Sequence, residues 1–361
     1  MVGKLEMNNA SRKLLATGAV VALTWLGNIA YTNAQDIQAG TNQGTIQSDA
    51  TETPGKLQLS NSSYQPGVNK VTFQSEGETM VGSLYLPTDY QPGDKLPAVV
   101  VTGSWTTVKE QMADLYAKKL VDQGFATLTF DFRFYGESGG EPRQYESPAA
   151  KIQDIKNAVT YLQSLPMIDA NHIGGLGVCA SAGYMAHAIA SGVPIKSFVT
   201  VAAWLHDPET VGLAYGGEAG VRRRVEAGLA ARKEYEQTGQ VAYVPAYAQD
   251  NPDAAMTGEA DYYNNPERGV IPQWKNQFAV MSWSEWLQFD ALAPAPKIEI
   301  PTLFVHTDNS AFPDNVRRFY NAMPGQKELF WTEGFHSDFY DREPFVTRAV
   351  QATAEHFKDT L

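Results

Sequence analysis

Residues 172–190 read HIGGLGVCASAGYMAHAIA, an apolar strand that runs straight into a helix with no loop between them. A junction that short forces a tight, strained turn. It fits the nucleophile-elbow pattern, a reactive side chain with small residues two positions to either side. Two registers satisfy the pattern: Gly177-Val178-Cys179-Ala180-Ser181 puts a thiol at the apex, and Cys179-Ala180-Ser181-Ala182-Gly183 puts a hydroxyl there. Gly177 favours the thiol. A glycine two residues before the apex removes the Cβ that would crowd the turn, whereas the second register sets a thiol-bearing side chain in that place. Ser181 stays open as the alternative nucleophile, and a purely structural turn as the third reading.

The rest of the chain alternates strands and helices around this junction. Lys70–Gln74 and Thr79–Leu86 flank SEGE and read as a hairpin, and LPAVVVTG is a continuous apolar strand of the kind buried on both faces. Thr107 and Glu110 match a capping box ahead of a helix through Met112, Leu115, Lys119 and Leu120, with Gly124 suited to stop it. After the strand FATLTF, Ser147 and Pro148 open a second helix that sets Ile152, Ile155, Val159 and Leu162 on one stripe. Beyond the elbow helix come the strands SFVTVAAW, PTLFVHTD and ELFWTEG, with helices near Asn315–Met323 and at the C-terminus. This order predicts an α/β architecture, a mostly parallel sheet covered by helices on both faces. Reactive groups in such a sheet gather beyond the carboxyl ends of the strands, where Cys179 falls.

Apolar residues make up 43% of the chain, enough for a buried core. The formal charge of −12, without long single-sign blocks, disfavours nucleic acid and anionic membrane surfaces and leaves a small-molecule substrate, neutral or cationic, as the expected partner. Residues 1–34 read as a signal peptide: Lys4, Arg12 and Lys13 precede the apolar run Leu14–Leu26, and Thr32-Asn33-Ala34 offers a cleavage site. That run is short of the roughly 20 residues that span a bilayer. The expectation is therefore export to the periplasm or beyond, with no stable membrane insertion after cleavage. Residues 35–66, rich in Gln, Thr, Ser, Asn and Gly, read as a flexible leader, and 67–361 as one domain. An exported chain with a single cysteine closes no internal disulfide, and a helix N-terminus favours the thiolate, so Cys179 reads as reactive.

The stretches VKEQMADLYAKKLVDQGFATLTFDFRFYGESGGEPRQYESP and IDANHIGGLGVCASAGY resemble the α/β-hydrolase superfamily, and within it the bacterial dienelactone-hydrolase-like group, which similarly carries Cys at the elbow. The resemblance runs from about Lys70 to the C-terminus. It implies an eight-stranded, mostly parallel sheet, a nucleophile-His-acid site and hydrolysis of an ester-like bond. Chain order then puts the histidine last, and His336 in EGFHSDFYD lies after the final strand, where a base can swing over the elbow. The acid departs from the pattern. Its implied position is Ser310, which cannot orient an imidazolium, so Asp308 in the same loop and Asp207 after the preceding strand are the candidates, with Asp314 behind them. The oxyanion hole is expected from the backbone N–H of Ala180 with that of Ser104 or Trp105.

Residues 205–299 exceed what a crossover needs and read as a helical lid insertion. Its Tyr262, Tyr263, Trp274, Trp283, Trp286 and Phe289 suit lid core or pocket lining. GVRRRVEAGLAARKEYE reads as a solvent-facing amphipathic helix, with Arg222–Arg224 a solvated charged face or, alternatively, a grip on a substrate carboxylate. GLGVCA as a dinucleotide fingerprint lies on a late strand with no acidic residue before Asp207. His306-x-Asp308 and His336-x-Asp338 lack a third spaced metal ligand, so neither cofactor nor metal is expected. The expected function is a secreted hydrolase that cleaves an ester, thioester or lactone through an acyl-enzyme on Cys179, with His336 as base. The alternatives are a serine esterase using Ser181 and a non-catalytic ligand-binding protein of the same fold.

Overall fold

A computed structural model describes residues 64–361, apart from 259 and 260. The expected signal peptide and most of the expected leader lie outside the described residues. The chain order is β1 (Gly67–Ser75), β2 (Glu78–Leu86), β3 (Leu96–Thr102), α1 (Met112–Val121), β4 (Ala126–Phe130), α2 (Pro148–Ser164), β5 (Ile168–Val178), α3 (Ser181–Ala190) and β6 (Ser197–Val201). Then follow α4 (Gly217–Thr238), β7 (Tyr243–Val244), β8 (Phe278–Ala279), α5 (Trp283–Trp286), β9 (Thr302–His306), α6 (Pro313–Ala322), β10 (Lys327–Trp331), α7 (Asp338–Asp341) and α8 (Phe345–Thr360).

Eight strands form one sheet in the order β1-β2-β4-β3-β5-β6-β9-β10, while β7 and β8 pair separately. Only β2 runs antiparallel to its neighbours; from β4 onward the pairs are parallel. This is the expected α/β-hydrolase architecture. The central strands β4, β6 and β9 are buried along their whole length, with Thr127, Thr129, Ser197, Thr200, Thr302 and His306 buried among their apolar side chains. Helices α1 and α8 pack together on one face, α2 and α3 on the other. Among the described residues no helix is long and apolar enough to cross a membrane.

Helix α2 starts as its sequence predicts: Ser147 caps it, accepting the Ala150 N–H at 3.4 Å, and Pro148 holds the first position. The capping box expected at Thr107 and Glu110 does not form. Thr107 Oγ1 donates to the Ser104 carbonyl, Glu110 pairs with Lys109, and α1 begins only at Met112. The stretch between is claimed by tertiary contacts, since the Lys109 N–H and ammonium both reach buried Asp131 at the end of β4.

Gly177 explains the chosen register of the elbow. A Cβ there would lie 2.7 Å from the Ala182 N and 2.8 Å from the Ser181 O, both backbone atoms with no freedom to withdraw. Gly177→Ala is expected to destabilise the domain by about 1–3 kcal/mol, read as a lowered denaturant midpoint at unchanged m-value.

Candidate active site

Strand β5 delivers the chain to the turn and α3 takes it away, leaving Cys179 at the apex with φ of 58°. A left-handed conformation in a non-glycine residue stores about 1–3 kcal/mol of strain, so the surroundings must hold it. They do: the Cys179 N–H donates to Val201 O at 3.0 Å, and its carbonyl accepts from Ala182 N at 3.1 Å and Trp204 N at 3.0 Å. His336 sits between β10 and α7, its Nε2 3.4 Å from the Cys179 Sγ. The rings of Trp204 and Tyr340 meet the imidazole edge-on, with centroids 6.4 and 5.5 Å away.

Burial pushes the Cys179 thiol up. The His336 charge, its hydrogen bond and the hydroxyls of Ser104 and Tyr340 outweigh that penalty, and the thiol is lowered to about 7. Ser104 is itself held in a hydroxyl network, 2.8 Å from Tyr263 Oη and 3.1 Å from Tyr340 Oη. Ser181, the alternative nucleophile, is buried and donates its hydroxyl to the Gly103 carbonyl. It does not line the cavity into which Cys179 opens.

Neither expected acid reaches His336. Asp308 is drawn off by Arg317 at 2.5 Å, and Asp207 by Arg318 at 3.0 Å and by the Thr210 N–H and hydroxyl. Both arginines lie on α6, so one helix diverts the two carboxylates; Asp314 pairs with Arg317 as well. What meets the ring instead is the Ala311 N–H, which donates to Nδ1 at 3.2 Å, next to the position where the resemblance implied an acid. That donor occupies the Nδ1 edge of the ring, while Nε2 faces the sulfur.

The cavity above Cys179 measures about 360 Å³ and is walled by the sheet's C-terminal loops and by the 205–299 insertion. The insertion's aromatics divide: Tyr263 and Trp286 line the cavity, while Tyr262, Trp274 and Trp283 are buried away from it. Trp105 stacks on Trp286 with ring centroids 4.6 Å apart.

The profile of the X-Pro dipeptidyl-peptidase (S15) family matches residues 76–338, from the β1–β2 turn to the start of α7. The chain belongs to the S15 family. It is 31% identical to the uncharacterized protein YcjY of Escherichia coli (strain K12) over 81% of its own length and 99% of that protein's. The crystal structure of the hypothetical protein PA2218 from Pseudomonas aeruginosa, 28% identical, superposes with a TM-score of 0.70 over 83% of this chain and 95% of that one. A thiohydrolase of Aspergillus aculeatus, aneE, is 27% identical over 66% of this chain and 77% of its own. The expectation of a hydrolase of the α/β-hydrolase superfamily is met.

In this S15-family chain the candidate oxyanion donors also separate. The Ser104 N–H is taken by the Met112 sulfur at 3.4 Å, whereas the N–H groups of Ala180 and Trp105 have no protein acceptor among the described residues. Of the two, the Trp105 N–H is the one left without a protein acceptor, while the Ser104 hydroxyl helps lower the thiol.

Two buried charged clusters were not singled out in the sequence. Glu110, Asp131 and Glu137 converge as metal ligands would, but the Lys109 ammonium lies among them at 2.6, 2.8 and 2.9 Å. It supplies the positive charge that a cation would bring. Behind the elbow, fully buried Glu146 and Lys151 pair at 2.7 Å. The Glu146 carboxylate also accepts from Tyr184 Oη at 2.7 Å, Tyr135 Oη at 2.8 Å and the Thr106 N–H at 3.4 Å. Thr106, at φ of 62°, follows Trp105, so this carboxylate fixes the loop opposite the elbow. Nothing in the sequence marks Glu146, since its importance lies in four partners from separate elements.

Proposed function

We propose that this chain hydrolyses thioesters and comparably activated esters through an acyl-enzyme on Cys179. The observation that carries the reading is the Cys179 Sγ lying 3.4 Å from His336 Nε2 at the apex of a strained elbow. The thiolate adds to the carbonyl carbon, and the N–H groups of Ala180 and Trp105 receive the developing oxyanion. The C–S bond forms as the bond to the leaving group breaks. Water then adds to the acyl-enzyme, its proton passing to His336 Nε2, and the C–S bond breaks to release the acid and restore the thiolate beside the protonated ring.

The contact at Nδ1 narrows the substrate class. The Ala311 N–H stands where a triad carboxylate would meet the ring, so substrates whose leaving group departs without a proton from the imidazole are favoured. Leaving groups that depart as anions, such as thiolates, phenolates and enolates, suit such a site better than alkoxides do. The thiohydrolase relative supports the thioester reading, and the dienelactone-hydrolase-like resemblance of the elbow supports an enol-type lactone as the ester counterpart. Peptide release by the family's named activity is less favoured. Among the described lining residues the cavity presents no carboxylate to receive a substrate N-terminal ammonium. We further propose that the insertion acts as a lid and that residues 1–34 direct export to the periplasm or beyond.

The test is alkylation of the protein by iodoacetamide as a function of pH, run beside turnover of a phenyl thioester. Both are expected to rise through a midpoint near 7 and to be lost together on alkylation. In His336→Ala the midpoint should climb above its wild-type value, because the burial penalty then stands without the imidazole to offset it. Turnover that survives full alkylation of Cys179 would transfer the chemistry elsewhere.

A further inference from the structure

Helix α4 is polar along nearly all of its length, and Arg222 behaves as a solvated face requires, exposed and, among the described residues, paired only with Glu218. Arg224 does not. It is half-buried and lines the same cavity as Cys179, where among the described residues it is the one permanently charged side chain. Its guanidinium lies over the rings of Tyr215 and Trp283, 5.3 and 5.4 Å from their centroids. Tyr215 lines that cavity too, together with Arg224 and Cys179.

The surroundings orient this arginine without neutralising it. Nη1 donates to the carbonyls of Tyr215 at 3.1 Å and Gly220 at 3.4 Å, and Nη2 to that of Pro252 at 2.9 Å. Carbonyl oxygens accept hydrogen bonds but carry no net charge. Asp253 is close enough to be felt, yet no carboxylate of the described residues comes within ion-pair distance. Three of the five N–H groups are used, so one on Nη2 and the one on Nε remain for a ligand. A desolvated guanidinium held by carbonyls and aromatic faces, beside a nucleophile and without a counter-ion, is arranged to receive an anion.

We propose that Arg224 anchors a carboxylate at the far end of the acyl chain, so that the substrates are thioesters or activated esters of dicarboxylic acids. The inference rests on the thiol-hydrolase reading above. It also makes Arg224 a determinant of specificity rather than of the chemical step.

The test compares 4-nitrophenyl monoesters of adipic and suberic acid with the hexanoate and octanoate of matching length. In the wild-type chain kcat/KM should favour the carboxylate ester by about tenfold or more at one of the two lengths, and added salt should shrink that preference. Arg224→Gln should lower the ratio by about tenfold, Arg224→Lys by less, and Arg222→Gln should leave it where it was. Equal rates for charged and neutral esters, or a ratio that Arg224→Gln does not move, would overturn the proposal. If Arg224→Gln fails to fold, the Arg224→Lys ratio and the salt dependence of the wild type decide. Haloacetamide labelling of Cys179 in the same preparation keeps the two readings apart. If no ester turns over and the thiol is inert, the thiol-hydrolase reading falls. Calorimetric titration of suberic acid monomethyl ester, with Arg224→Gln as the blank, then reports the anchor by itself.

Discussion

Cys179→Ala is expected to lower kcat/KM for a phenyl thioester by about a thousandfold or more, with little change in thermal stability. The side chain contributes a small volume at the apex, and the turn is held by backbone bonds from Val201, Ala182 and Trp204 that alanine retains. Cys179→Ser should fall nearly as far, for a reason specific to this site. A serine hydroxyl is a far weaker acid than a thiol lowered to about 7, and activating it requires a histidine whose protonated form is supported at Nδ1. Here Nδ1 meets the Ala311 N–H. Ser181→Ala, by contrast, removes a buried hydrogen bond to Gly103 and should cost about 1 kcal/mol of stability with modest loss of rate. Steady-state kinetics on the three variants, each checked by circular dichroism, separate the possibilities. Full rate in Cys179→Ala together with loss in Ser181→Ala would sink the thiol mechanism in favour of the serine register.

The second large effect is on stability. Glu146→Gln leaves the Lys151 ammonium buried without its counter-charge, and breaking a buried pair in this way typically costs about 3–5 kcal/mol. In a domain of this size that corresponds to a fall in Tm of roughly 10 °C, measurable by calorimetry. The two changes are coupled, so Lys151→Met added to Glu146→Gln should recover a large part of the loss. Four groups converge on the carboxylate, and Tyr135, Tyr184 and Thr106 each keep part of their acceptor in the glutamine variant. An additive double variant, as destabilised as the two single changes summed, would show that the ammonium and carboxylate do not stabilise one another.

The architecture was legible because each element announces itself over many residues. The central strand β3 is a nearly unbroken apolar run, α2 carries its cap, its proline and its stripe, and the elbow is confined to small side chains by backbone crowding. His336 was legible for a topological reason, being placed after the last strand. The parts that escaped depend on which side chain wins a partner in space. Asp207 and Asp308 are plausible acids until Arg317 and Arg318, one turn of α6 away from the same loops, are seen to claim them. Thr107 and Glu110 have capping-box spacing, yet the Ser104 carbonyl and Lys109 take both side chains. Arg224 looks like its neighbours Arg222 and Arg223 in the sequence, and only the rings of Tyr215 and Trp283 turn it inward.

The sulfur at the apex also has a bearing on the chain's chemical lifetime. An acidified thiol that opens into a cavity is the kind most readily converted by peroxide to a sulfenic acid. Because the 361-residue chain contains no other cysteine, that product has no resolving thiol within the molecule. Recovery then depends on a reductant from outside, and without one the oxidation proceeds to the irreversible sulfinic stage.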